Sequence, residues 1–396
     1  MPPRPGSKQL IREINEALVM DTVRRHGTVS RANISQATGL SPATVTGITG
    51  KLMLAGYLEE SGALRTSAGR PSQMLMLSKG GVRAIGVRLS VNVVDVVALN
   101  LNGEVVMTHT QPWQGRSPDD AAAAIENAID DLRSRVSGGE QFIGVGVAVS
   151  GIVNHSTGFV THSGSLNWEN VPLREILTER LGVPVEIDNY VNAYALGLLL
   201  FNQRASLRDV LLVNVGASVG MSLVVGGRIY RGADGTAGGL AHTRVDLTGE
   251  DGRACHCGNS GCVETVASQW GIESELARRG SVVGPESLAA DGDDPDLRAA
   301  LAHAGSVLGR AVANAAKMFG PHQVLIAFAS NLRSRHLVEH VDGAYSRAYG
   351  NDNRPPPEIE IVTADDTSWA YGAGCEVLAG LFQVDIEVEP PHREPT

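Results

Sequence analysis

The sequence predicts an α/β protein in two unequal parts, a small basic helical head and a large acidic body built from two similar strand-rich halves. Three observations predict it. Residues 1–80 carry ten Lys/Arg against five Asp/Glu, so the rest of the chain holds −15 within an overall net charge of −10. Residues 9–58 show helix caps and apolar residues at helical spacing, and from residue 83 the texture changes to repeated strands and glycine turns. At 396 residues, 43% apolar and 19% charged, the chain is long enough for more than one domain, each with its own core. Such a chain needs no disulfide framework, and it has only four cysteines. The start, MPPRPGSKQL, lacks the apolar stretch of a signal peptide, and no run approaches the roughly 18 apolar residues of a membrane span, so the expected location is the cytoplasm. The Pro-rich end, EVEPPHREPT, reads as a loose tail.

In the head, Ile11, Ile14, Leu18 and Val19 predict the inward stripe of a first helix that Gly27 stops. Ser30 caps a short second helix carrying Ile34 and Ala37, and Gly39-Leu40 makes the turn. Ser41 then caps a third helix with Pro42 at its first position, where a missing N–H costs nothing. Val45, Ile48 and Leu52 face its core. The opposite face shows Ala43, Thr46, Gly47 and Gly50, flanked by Thr44 and Lys51. Two glycines within one helix cost about 1 kcal/mol each relative to alanine, which either close approach to a groove wall or simple surface tolerance would explain. Beyond Tyr57-Leu58, EESGALRTSAGRPSQMLMLS predicts two short strands around a polar loop, completing a winged helix-turn-helix. Gly69-Arg70-Pro71 in that loop would leave a guanidinium free to enter a narrow A·T-rich minor groove. The candidate surface for double-stranded DNA is therefore Arg31, Ser41, Ala43, Thr44, Thr46, Gly47, Lys51 and Arg70. It lacks the residues that make bidentate base contacts from the third helix, so direct major-groove readout is expected to be modest.

In the body, RAIGVRLSVNVVDVVALNLNGEVV predicts strands with a hairpin near Asn102-Gly103. FIGVGVAVSGIVN predicts a buried strand opening into a glycine turn, and DVLLVNVGASVGMSLVVGGRIYRG repeats the theme. Two sheets covered by helices are expected, as a duplicated α/β body.

Together, SRANISQATGLSPATVTGI, GRP, NYVNAYALG, AGGLAH followed by CHCGNSGCVE, and YGAGCEVLAG resemble the repressor branch of the ROK family, which groups repressors, uncharacterised reading frames and sugar kinases. The resemblance runs from about Gln9 to about Phe382. It implies a two-lobed actin-like, hexokinase-type body behind the winged helix-turn-helix. The expected domains are 1–80, a first lobe 81–188 completed by the helix near 368–384, and a second lobe 189–367 holding a zinc loop at 242–264 and the dimer interface.

Departures from the kinases of that family are as informative. Where they have D-x-G-G-T, this chain has Arg88-Leu89-Ser90-Val91-Asn92, which removes a metal-facing acid and puts side chains where phosphates need bare N–H groups. Their second phosphate turn, G-T-G-x-G, reads Gly216-Ala217-Ser218-Val219-Gly220, and a later glycine run reads Ala327-Phe328-Ala329. The kinases' general base, the Asp of Asn-Asp, is replaced in Asn189-Tyr190, and a tyrosine of pKa near 10 is no base at neutral pH. No phosphotransfer is expected, and no catalytic residue is assigned.

Cys255, Cys257 and Cys262 are spaced C-x-C-x4-C, which is not the C-x-x-C of redox pairs. The resemblance supplies His242 as a fourth ligand, making a closed Cys3His set suited to structural zinc, about one per chain. His256 is read as a bystander and Cys375 as a packed core thiol. By the same resemblance Asn189, Glu264 and His242 line a sugar, while Gly239 stands where relatives have a glutamate. Tyr190 would offer a ring face for stacking, and Arg88 at the old phosphate site favours a phosphorylated or acidic sugar. The expectation is a homodimeric DNA-binding regulator of carbohydrate genes, probing an inverted repeat and responding to a sugar or sugar derivative, with no membrane partner. A sugar kinase carrying a DNA-binding head, or a scaffold controlled by a protein partner, are the alternatives.

Overall fold

Ser30 and Ser41 start their helices as the sequence predicts. In the computed structural model, which describes residues 7–64, 72–135, 140–201, 208–244, 252–281, 284, 288–289, 294–350 and 355–383, each serine side chain accepts a backbone N–H of the first turn, from Asn33 and Thr44. The head comprises α1 (Lys8–His26), β1 (Thr28–Ser30), α2 (Arg31–Thr38), α3 (Pro42–Leu54), β2 (Leu58–Leu64) and β3 (Ser72–Leu77). Gly27 and Gly39 close α1 and α2 with φ of 71° and 72°. The strands form an antiparallel sheet in the order β1-β3-β2.

The inward stripe of α1 differs from the expected one. Val19 is buried, but Ile11 and Leu18 are 53% and 39% exposed, and the buried face is Ala17, Val19, Met20 and Val23. The reason is tertiary. The head's core is continuous with residues far along the chain, including Leu99, Leu200, Leu378 and Phe382, so α1 turns its later residues toward the body.

The body begins with β4 (Val82–Leu89), β5 (Val93–Leu99), β6 (Val105–Pro112), α4 (Pro118–Arg135) and β7 (Gln141–Val149). A small sheet follows, β8 (Ile152–Asn154), β9 (Phe159–Ser163) and β10 (Trp168–Val171), then α5 (Leu173–Leu181), β11 (Val185–Asn189) and α6 (Tyr190–Phe201). The second half has β12 (Val210–Val215), β13 (Val219–Val225), β14 (Arg228–Tyr230), α7 (Glu264–Ala267), α8 (Gln269–Arg278), α9 (Pro295–Phe319), β15 (Gln323–Phe328), α10 (Arg335–Tyr349), β16 (Glu358–Thr363) and α11 (Asp366–Phe382).

The two large sheets have one plan. Orders β6-β5-β4-β7-β11 and β14-β13-β12-β15-β16 both start from a central strand with an antiparallel meander on one side and two parallel strands on the other. This is the expected duplication. Outer helices α4 and α5 cover the first sheet, and α9 and α10 cover the second. Helices α6 and α11 fill the space between the sheets. α11 lies so close to the first sheet that a Cβ at Gly86 or Gly146 would fall 1.9 or 1.8 Å from a carbonyl of Ala370 or Ala373. Among the described residues no helix is long and apolar enough to cross a membrane.

Candidate functional site

The first turn of α6 meets the β12–β13 turn between the two sheets. Asn189 ends β11 and steers the chain into α6: its Nδ2 donates to the Gly151 carbonyl (2.7 Å) and its Oδ1 accepts the Val191 N–H (2.9 Å). Next to it the Tyr190 hydroxyl lies 2.9 Å from Ser218 Oγ, in the glycine turn itself. Burial pushes the phenol up from its ordinary value, outweighing the bonds to Ser218 and Asn214. Its ring meets Trp369 edge-on at 5.2 Å. Tyr190 is thus tied to α11 through Trp369 and to the glycine turn through its hydroxyl.

Neighbouring Asp188 is buried and fully engaged. It is 1% exposed and its oxygens accept from Asn189 N–H (2.6 Å), Asn192 Nδ2 (3.1 Å) and Arg231 Nε (2.7 Å). Arg231 also reaches Glu376 (3.2 Å), and His155 lies 3.8 Å from Asp188. Burial lifts Glu376 well above the usual carboxylate range despite Arg231, and Asp188 and Glu186 add to the lift. Sequence reasoning missed this network. Its one visible signal was an acid inside the small-residue helix GAGCEVLAG.

Arg88 also departs from expectation. Its guanidinium is bound by Asp95 (2.7 Å) and Asp366 (2.6 Å), so the charge is already met and does not await an anion. Its turn is closed as well: Ser90 N–H donates to Val93, and Trp113 Nε1 donates to the Ser90 carbonyl.

The cysteine loop forms the other wall. Gly258 and Gly261, with φ of 88° and 71°, let the chain double back, and Cys255 N–H donates to the Asn259 carbonyl (2.8 Å). Single bridges tie Arg244 to Cys262 and Ala254 to Ser260. These bends bring one ligand atom each from His242, Cys255, Cys257 and Cys262 within 4.8 Å of one another. Cys257 and Cys262 sulfurs are 3.7 Å apart, and His242 Nδ1 is 3.6 Å from the Cys255 sulfur. A tetrahedron with arms of about 2.3 Å has edges of about 3.8 Å, so the four atoms fit a zinc ion. Burial and the neighbouring thiols push Cys262 up to about 12. His256 packs edge-on against His242 at 5.4 Å and is no member of the set. Cys375 is fully buried. Glu264 begins α7 two residues past Cys262, is 3% exposed and accepts the Val219 N–H (2.8 Å); burial raises its carboxyl to about 7. Glu264 and Tyr190 thereby both hold the β12–β13 turn. Also missed were the hydroxyls of Ser150, Ser163 and Ser165, where Ser150 Oγ is 3.1 Å and 2.5 Å from the other two.

In the head, Ser41, Ala43, Thr44, Thr46 and Gly47 are all exposed along α3. Thr46 turns its hydroxyl back to the Pro42 carbonyl (2.8 Å). The two cations are engaged within the head: Lys51 with Glu16 (2.7 Å), and Arg31 with Thr49 (3.0 Å) and the Met53 sulfur. Arg70 lies outside the described residues.

A model of the ROK family matches residues 84–377. A "putative xylose repressor" from Caldicellulosiruptor sp. (strain Rt8B.4) is 31% identical over 95% of this chain and 98% of its own length. The N-acetylglucosamine repressor of Escherichia coli O157:H7 is 28% identical over 81% of this chain and 82% of its own. Among solved structures, a ROK family transcriptional regulator described as a homolog of the E. coli MLC protein superposes with a TM-score of 0.80 at 26% identity, covering 94% of this chain and 97% of that one. A ROK family glucokinase from Streptomyces griseus, solved with glucose and AMPPNP, shares the fold at TM-score 0.63 and 21% identity over 74% of this chain and 98% of its own.

Proposed function

The chain belongs to the ROK family, and from that premise we propose that it is a sugar-responsive, DNA-binding repressor with no kinase activity. The observation that carries the reading is Tyr190. It stands where a kinase needs a carboxylate base, and its hydroxyl is bonded into the glycine turn that would receive phosphates. The relatives named as repressors support the regulatory half of the reading.

The head acts as a winged helix-turn-helix. Helix α3 and its N-cap present Ser41, Ala43, Thr44, Thr46 and Gly47 to the major groove, and Arg70, which lies in the sequence between β2 and β3, serves the minor groove. Arg31 and Lys51 brace α3 from within the head and add positive potential rather than base contacts. Two copies of the chain read an inverted repeat in the cytoplasm. A hydroxyl-rich sugar sits between the lobes against Asn189, Glu264 and His242. His242, Cys255, Cys257 and Cys262 would hold a structural zinc ion, which cross-links the cleft wall and leaves no open position for chemistry. With Arg88 already paired, the reading favours a neutral sugar over an anionic one.

Genome-wide footprinting of the full-length protein, followed by titration of its best site with sugars drawn from the neighbouring genes, tests this. The expected result is binding to an inverted repeat that a neutral sugar weakens, with no sugar-dependent ATP consumption. Sugar-dependent ATP turnover above a no-enzyme control would overturn it.

A further inference from the structure

Three helices end at one point. Arg24, in the last turn of α1, has a side chain only 8% exposed and is held by Asp21 on its own helix (2.6 Å). Its Nη1 donates to the Leu200 carbonyl in the last turn of α6, where a cation also meets the negative end of the helix dipole. The guanidinium lies over the rings of Phe201 and Phe382, 5.9 and 5.3 Å from their centroids. Those residues are the last of α6 and α11, and their rings meet edge-on at 6.0 Å. Phe201 is itself seated on the β5–β6 turn, where a Cβ at Gly103 would fall 2.5 Å from the ring.

The opposite ends of α6 and α11 reach the cleft. Tyr190 opens α6, and Trp369 in the first turn of α11 packs on both Tyr190 and Tyr194. Farther along α11, Glu376 joins Arg231. The twelve residues of α6 span about 18 Å, so each of these two rods has one end beside the candidate sugar site and the other beside Arg24.

We infer that Arg24 is a positioning residue: it fixes the orientation of the DNA-binding head on the body, and through α6 and α11 it is where the state of the cleft is passed to the head. This rests on the reading above. A buried arginine fits the role because its planar group serves a carbonyl, a carboxylate and two ring faces together, which lysine cannot reproduce. A ligand that moves the first turn of α6 shifts the Leu200 carbonyl and Phe201 as a unit, and Arg24 moves with them. Two heads on one inverted repeat must keep a fixed separation, so a small rotation at this joint changes the half-site spacing the dimer accepts.

The test uses the full chain and duplexes carrying the footprinted inverted repeat with the spacer lengthened or shortened one base pair at a time. Wild type is expected to prefer one spacing at least tenfold, a preference that the bound sugar reduces. Arg24→Ala should flatten the spacing profile to within about threefold and abolish the sugar effect on DNA. Affinity for a single half-site and calorimetric sugar binding should stay within about twofold. Arg24→Lys should restore only part of the profile. Phe382→Leu, which keeps the apolar volume but removes the ring, should weaken the preference in the same direction. Hydrogen exchange without DNA gives a second readout: in Arg24→Ala, amides of 22–27 and 198–201 should exchange at least tenfold faster while α2 and α3 are unchanged. An unaltered spacing profile, or exchange unchanged at both helix ends, overturns the inference. Failure of wild type to bind any duplex would instead overturn the repressor reading, and the exchange result would still decide whether Arg24 joins head to body.

Discussion

The turn after β12 and the start of β13 keep Gly216 and Gly220, whereas the turn after β4, its counterpart in the duplicated plan, carries Ser90, Val91 and Asn92. After β12, Ser218 stands between Gly216 and Gly220, and the structure shows what holds Gly220 as glycine. A Cβ at Gly220 would fall 2.6 Å from Val191 Cγ2, so α6 packs onto that turn and holds it bare. After β4 the space is instead occupied by the paired Arg88 and by Trp113, whose ring N–H takes the Ser90 carbonyl. Packing alone is reason enough for Gly220 to remain glycine.

Four measurements would break or sharpen that contrast. The cysteine wall should depend most on one component. Chelation, or Cys257→Ser, should remove about one zinc per chain and destabilise the protein on the order of 3 kcal/mol, a fall in Tm of roughly 4 °C, seen by metal analysis and calorimetry. Unchanged Tm with no zinc detected would end the claim. Next, Gly220→Ala should cost about 1–3 kcal/mol through overpacking against Val191, whereas Ser90→Gly should cost under about 1 kcal/mol; urea melts of the pair compare the turns directly. If both are neutral, packing does not explain the kept glycine.

Gly47 and Gly50 are the opposite kind. A Cβ at either meets nothing within 4 Å, so no contact inside the chain requires them. Alanine there should stabilise α3 by about 1 kcal/mol per site and yet weaken DNA binding about tenfold, because the requirement lies outside the chain. Gains in stability with undiminished DNA binding would show surface tolerance. The smallest effect is expected at Glu376. Its folded pKa is raised, so its contribution is fully present below the unfolded value near 4.5 and is lost as pH rises through the folded value. Arg231, Asp188, His155 and Glu186 face it, and Arg231 alone favours its charge. Glu376→Gln should change stability by under about 1 kcal/mol at pH 6 and flatten the alkaline decline, measured by urea unfolding from pH 5 to 9.

Local chemistry was legible in the sequence and long-range partnership was not. Ser30, Ser41, Gly27 and Gly39 announced the helix ends because a cap is a bargain between residues three or four apart. The four ligand atoms at His242, Cys255, Cys257 and Cys262 meet as expected, since the loop's own glycines bend it. Arg88 was misjudged because one of its partners, Asp366, lies 278 residues away. The edge contact between Tyr190 and Trp369 was not legible either, for Trp369 comes from α11. The buried face of α1 failed for the same reason.

Helix α11 also bears on the order in which the molecule is made. The chain emerges amino-terminal end first, and the head, β4 and β7 are complete long before residues 366–382 exist. The groove between Gly86 and Gly146 therefore stays open, and α1 lacks its seat, until the last helix leaves the ribosome. A nascent or prematurely ended chain would carry a DNA-binding head with nothing to report to it, and only arrival of the carboxy-terminal helix turns head and sensor into one instrument.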